Sequence, residues 1–249
     1  MGAMRLAMAL GFTLLAMPAC PAWSDEISPN VVPWDRLAPD SSGLVRDVLA
    51  RPLVARQVNG ITYRSRPRVF QYLLDHPDFA ANMARAIKVG KYRVTSVPGG
   101  YEADDGRGVH GLLKPVYADA QRRVYYLKGR YDPPVFPAMT GRAVVVLDAL
   151  HVTGPDGTSR AQVTVVGFLT LDNVFARIIA RVLRDFTQAA VDRKVRRFFR
   201  HVEKVSARAI DDPIGLAREI QGHPELPPGQ VAEFRRLLLK SDTGAATAS

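Results

Sequence analysis

The stretch DNVFARIIARVLRDFTQAAVDRKVRRFFRHVEK, Asp172–Lys204, closes a run of β-like segments and reads as one long basic helix or two stacked ones. Phe175, Ile178, Ile179, Val182, Phe186 and Ala189 recur at three/four spacing and share one face. Val195, Phe198, Val202 and Val205 keep that spacing, but at ~100° per residue their stripe is rotated by roughly 150° from the first. The cations turn with it. Arg177, Arg181 and Arg184 oppose the first stripe, and Arg193, Arg197, Arg200 and Lys204 oppose the second. Such a helix packs on two different surfaces or kinks near Ala190–Arg193. It is either a kinked core helix or a lid over an apolar cavity with a membrane-facing or partner-facing end.

Upstream the apolar period drops to two. Strands are expected at 91–97, 100–104, 108–117, 122–130, 142–152 and 160–171. Pro98-Gly99-Gly100, Asp104-Asp105-Gly106 and Gly154-Pro155-Asp156-Gly157 punctuate them, and such short turns imply antiparallel pairing. One connector, 129–141, is longer, with Pro133, Pro134 and Pro137 around Phe136. It suits a loop that covers a site as well as a proline-stiffened crossover. Strand 142–152 is apolar on both parities, Val144, Val146 and Leu150 against Val145, Leu147 and Ala149. So is 160–171, with Val163, Val165 and Leu169 against Val166 and Phe168. A sheet with one wet face alternates more cleanly, so one face should meet the long helix and the other an added helix or a partner.

Before the sheet lies a helical pair. Ser65 and Pro67 open a helix that buries Val69, Phe70, Leu73 and Leu74; Asp75 caps a second one that buries Phe79, Met83 and Ile87 and stops at Gly90. Residues 60–65 form a short first strand. In the extension 23–55, Ser42 is expected to cap a short helix carrying Leu44, Val45, Val48 and Leu49. Two helices follow in 207–240, and the tail 241–249 reads as disordered.

Composition limits the chemistry. The chain of 249 residues carries a formal charge of +10, and Arg5 is the one charged residue in 1–22, so a chain cut after Ala22 keeps 10 − 1 = +9. That balance favours anionic partners. Arg5 precedes the apolar run Leu6–Met17 and a region of small residues and proline, which reads as a secretory signal over 1–22. Cys20 offers lipidation as the alternative, although Met17 and Pro18 fit a lipobox poorly. Cys20 is the sole cysteine, so cleavage after Ala22 leaves no thiol chemistry and no disulfide. An exported basic chain points to a periplasm, to an anionic membrane surface and away from nucleic acid.

No motif for hydrolysis, phosphoryl transfer or dinucleotide binding is present, and no cofactor or metal site is expected. His110 and Asp148 lie on different strands and would form an acid–base couple only if the fold joined them. Tyr125 and Tyr126 must point to opposite faces of one strand. Arg193, Lys194, Arg196, Arg197 and Arg200, next to Phe198 and Phe199, suit an anionic membrane interface as well as a solvated helix face.

The order strand, helix pair, antiparallel strands, long C-terminal helix resembles the START-like (Bet v 1-like, SRPBCC) helix-grip superfamily over about 56–206. The local pattern Val69–Leu74, then Asp75-His76-Pro77-Asp78-Phe79 before the second strand, adds to it. The resemblance implies an α+β fold in which a curved antiparallel sheet wraps the long helix around an apolar cavity, here with extra terminal helices. Phe70, Leu74, Phe79, Tyr125, Phe168, Phe175, Ile179, Val182 and Phe186 are expected to line it. The implied role is binding or carrying a lipid or other hydrophobic small molecule. The alternatives are a cyclase- or dehydratase-type enzyme on the same fold, or a non-catalytic envelope adaptor that binds a protein.

Overall fold

The computed structural model describes residues 27, 29–106, 108–132, 138–172 and 188–240. Seven strands form one antiparallel sheet in the order β1-β7-β6-β5-β4-β3-β2. They are β1 Val54–Arg64, β2 Arg93–Val97, β3 Gly100–Asp104, β4 Val109–Ala118, β5 Arg122–Tyr131, β6 Met139–Thr153 and β7 Ser159–Leu171. The helices are α1 Pro39–Ala50, α2 Pro67–Asp75, α3 Pro77–Ala86, α4 Gln188–Asp211, α5 Pro213–Glu219 and α6 Pro228–Leu239. This is an α+β arrangement of one seven-stranded antiparallel sheet with helices before, within and after its strands. The first half of the long helical segment, with Phe175, Ile179, Val182 and Phe186, lies outside the described residues, as do 1–26 and the tail.

The sheet is covered on both faces, as its two-sided apolar strands require. On the outer face Val124, Tyr126, Val144, Val146, Val166 and Phe168 pack against Val32, Leu37, Val45 and Val48 of the N-terminal segment. Val45 and Val48 are fully buried, and each contributes roughly 1.5–3 kcal/mol by leaving water. On the inner face Val58, Ile61, Tyr63, Leu147, Ala149, Val163 and Val165 meet Phe70 of α2 and Phe199 of α4. A third cluster is purely helical: Phe79, Met83, Val205, Leu216, Ile220 and Phe234 join α3, α4, α5 and α6 beyond the sheet.

Several boundaries differ from the sequence reading. The first strand starts at Val54 because its early residues pair with β7 through Val54↔Leu169, an apolar match that short-range pattern does not reveal. Helix α1 begins at Pro39, so Ser42 sits inside it rather than capping it. Asp75 ends α2 and turns to the sheet instead of capping α3. Strands β5 and β6 pair as far as Tyr131↔Met139, so the connector is shorter than 129–141. Its prolines lie outside the described residues. On α4 the buried aromatic is Phe199, and Phe198 is 42% exposed. The stripe facing the sheet is therefore Val195, Phe199 and Val202.

Consecutive arginines on β5 fasten the layers. Arg122 points outward, bridges Asp148 with two hydrogen bonds of 2.5 and 2.9 Å, and donates to the Val31 carbonyl at 2.9 Å. Arg123 points inward, is 6% exposed, and donates to Asp75 of α2 at 2.7 Å and to Gln71 at 3.1 Å. At the far end of the helical cluster Arg66 donates to the Leu237, Leu238 and Lys240 carbonyls, which closes the C-terminus of α6 with a cation.

A row of glycines crosses the inner face. Gly111, Gly129 and Gly141 stand opposite one another on β4, β5 and β6. A methyl group at Gly111 would collide with the Lys128 carbonyl, and one at Gly141 would lie 2.7 Å from the Thr170 carbonyl oxygen. Bare backbone lets the neighbouring strands close in and the sheet coil.

Gly111→Ala should therefore lower stability by about 1–3 kcal/mol through a forced backbone shift, measured by urea unfolding. Gly43→Ala, in the open interior of α1 with nothing within 4 Å, should instead raise it by up to about 1 kcal/mol.

Candidate ligand-binding site

Cross-strand register assembles a continuous apolar band on the inner face. One row runs Val54, Leu169, Ala143, Leu127, Leu113, Tyr101 from β1 to β3. The row beside it runs Gly167, Val145, Tyr125, Pro115. The glycine row lies on the other side, continued by Ala103 and Val94. Helices α2 and α4 seal the part of this face formed by β1, β7 and the second half of β6. Tyr101, Leu113, Tyr125, Leu127, Ala143, Val145 and Leu169 are only half-buried. Among the described residues, a Cβ at Gly167 would meet nothing within 4 Å.

One end of the band is polar. Tyr125 donates to the Leu74 carbonyl over 3.4 Å, and burial pushes its hydroxyl up to about 12. The Tyr101 hydroxyl is pushed up as well, first by burial and then by the carboxylates of Asp78 and Asp75. With Arg123 these groups mark where the α2–α3 junction meets the sheet. The band thus offers an apolar floor with hydrogen-bonding groups at one end, a lining suited to an amphipathic molecule.

The residues expected from sequence separate in three ways. Phe70 and Leu74 lie on the inner side, against the helix-covered part of the sheet, and Tyr125 stands in the open band. Phe168 is a correction: it faces outward among Val144, Val166 and Val48, because residues of its parity in β7 share the face that α1 covers. Phe79 is a second correction: it is fully buried in the helical cluster, its ring tilted against that of Phe234 at 5.1 Å, and belongs to no part of the band. Phe175, Ile179, Val182 and Phe186 lie outside the described residues. Leu113, Leu127, Val145, Leu169 and Gly167 were missed; sharing the face of Tyr125 identifies them, but only once strand register is known.

The basic residues of α4 divide between faces. Arg196 donates to the Asn59 carbonyl at 2.9 Å, where a bulge between Val58 and Ile61 turns β1 toward the helix. With Arg200, Glu203, Phe199 and Gly60–Tyr63 it lines a shallow cleft of about 240 Å³. Arg196 thus ties helix to strand through one hydrogen bond while it stays exposed. Arg193, Arg197 and Arg200 are exposed, and nothing is described of the Lys194 side chain.

The acid–base couple does not form. His110 pairs across from Arg130 and Thr140, whereas Asp148 lies eight positions further along β6, roughly 26 Å at 3.3 Å per residue. His110 faces Asp132 at 3.9 Å, and Asp148 is occupied by Arg122. No group of three or more His, Cys, Asp or Glu that could hold a metal occurs among the described residues.

No family model matches the chain, and no curated protein matches it. Three solved structures show slight likeness. A conserved protein from Geobacillus kaustophilus matches at a TM-score of 0.41 and 13% identity, over 63% of this chain and 97% of its own. Ara h 8.0201 matches at 0.35 and 14%, over 61% and 98%. Dicamba monooxygenase bound to dicamba matches at 0.32 and 15%, over 89% and 65%.

Removing the carboxylate under the buried arginine, Asp75→Asn, should cost about 1–3 kcal/mol in urea unfolding, because Arg123 then keeps a buried charge without its counter-ion. A second expectation concerns pH. Asp119 is held down to about 2, first by the Tyr117 hydroxyl donating at 2.6 Å and then by the Gln121 and Arg122 amides. Its folded pKa is depressed, so its contribution to stability is complete above the ordinary carboxylate range near 4 and is lost as pH falls through about 2. Tyr117→Phe should raise the Asp119 midpoint, read from the carboxyl carbon shift in an NMR titration.

Proposed function

We propose that this chain is an exported helix-grip protein that binds a lipid or other hydrophobic ligand against the inner face of its sheet and carries it between envelope membranes. The observation that carries the reading is the half-buried apolar band, floored by glycines, beside Gly167, whose Cβ position meets no described atom within 4 Å. Covering such a band with an acyl chain or a polycyclic lipid would drive binding by removing apolar area from water. The Tyr101 and Tyr125 hydroxyl oxygens at one end supply polar groups for a polar head.

The N-terminal signal-like segment supports export to the periplasm, and the net charge of +10 supports approach to an anionic membrane through Arg193, Arg197 and Arg200. Helix α1 already occupies the outer apolar face, which counts against that face as a docking surface for a protein adaptor. The distance between His110 and Asp148 counts against the enzyme that was drawn from that pair.

The test is native mass spectrometry with lipid extraction on protein purified from its own envelope, followed by uptake of cis-parinaric acid by the emptied chain. A stoichiometric co-purifying lipid and saturable uptake are expected. Gly167→Leu, whose Cβ would meet no described atom within 4 Å, should weaken uptake roughly tenfold while leaving the fold intact. Protein that is empty as isolated and takes up no fatty acid would falsify the carrier reading.

A further inference from the structure

We infer that Phe198 and Tyr92 form an aromatic wedge that enters the interfacial layer of an anionic phospholipid membrane, with the surrounding cations setting its orientation. This rests on the carrier reading above, since a carrier exchanges its cargo at a membrane. A single exposed apolar side chain is ordinary. Phe198 is 42% exposed and does not stand singly, because the Tyr92 ring packs on it at 5.5 Å, with the His201 ring 6.3 Å from Tyr92. The two rings come from different elements, Phe198 from α4 and Tyr92 from the connection between α3 and β2. Beneath them Phe199 anchors α4 in the inner core, its ring 5.4 Å from that of Phe198, so the wedge has a rigid base.

Cations outnumber acids around the wedge, where Asp104, opposite Arg93 across the strands, and Asp105 keep their negative charge. Lys91 and Arg93 flank Tyr92 in sequence and are exposed, as are Lys88 on the same connection and Arg197 beside Phe198. Acids near this side, Asp104 and Asp105, already accept the backbone amides of Gly106 and Val109. A Phe–Tyr pair with cations around it matches an anionic bilayer surface: the rings reach headgroup depth while each cation near the surface adds about 1 kcal/mol of attraction. Docking in this orientation places the α3–β2 connection and the outer side of α4 against the lipid.

Co-sedimentation with phosphatidylglycerol vesicles and with phosphatidylcholine vesicles, at low and high salt, tests it with the full mature chain. The wild type should bind the anionic vesicles, less at high salt, and Phe198→Ala should weaken that binding roughly tenfold without changing cis-parinaric acid uptake. Phe198→Trp should keep binding and be quenched by brominated phosphatidylglycerol beyond the wild-type tryptophan background. If Phe198→Ala binds as the wild type and Phe198→Trp is not quenched, the wedge is overturned. Should the double reversal Arg197→Glu, Arg200→Glu still abolish binding in that case, docking by charge survives without it. A wild type that ignores phosphatidylglycerol overturns docking and wedge together, and fatty-acid uptake then decides the carrier reading separately.

Discussion

Water must be kept from both faces of a sheet whose strands are apolar on both parities. Burying such a sheet needs two covering layers, and the chain supplies them from its two ends. The N-terminal segment lays Val45 and Val48 over Val144, Val146 and Phe168. Helices α2 and α4 bring Phe70 and Phe199 to the opposite side. Three layers stacked this way need fastening that apolar contact does not provide, because apolar contact is non-directional. Arg122 and Arg123 provide it from one strand, since neighbours in a strand point to opposite faces. One holds the N-terminal segment through Val31, and the other holds α2 through Asp75 and Gln71.

The same constraint explains where the candidate site lies. Helix α4 packs on the β1 side of the inner face, and α3 reaches β2 through Asn82, which donates to the Val94 carbonyl at 3.0 Å. Between these supports the sheet keeps its apolar side chains but is only half-buried. The glycine row lets backbone approach closely in this stretch, since a Cβ at Gly111 or Gly141 would meet a neighbouring carbonyl. Glycine floor, half-buried apolar surface and polar end thus come from one cross-strand pattern of residues.

Placement of the charged groups separates structural work from surface work. Arg66, Arg122, Arg123 and Arg196 spend their donors on carbonyls and carboxylates within the fold. Arg193 and Arg197 lie exposed on the side of α4 turned away from β1. A basic helix is therefore not one electrostatic unit here: part of it positions the helix on the bulge of β1, and part of it faces outward.

Much of the architecture was legible along the chain. Period-two patterns with their glycine and proline turns located β2 through β7 to within a few residues, and proline starts located α2 and α3. Those signals are local, so a linear reading recovers them. The assignment of faces was not legible. Parity within a strand says only that Phe168 sides with Val166; which face is inner depends on pairing with strands far away in sequence. Bulges make it worse: Val58 and Ile61 share the inner face three residues apart, and the irregularity between Pro115 and Tyr117 sends Tyr117 to the outer cluster. The sequence alone determined the elements, the two-sided apolar character of the sheet and the excess of positive charge. Tertiary structure alone decided that Tyr125 and not Phe168 shares a face with Leu127 and Gly167, and that Phe199 and not Phe198 is buried. The reason is that hydrogen-bonded register and helix rotation are set by contacts between distant segments, which no local period encodes.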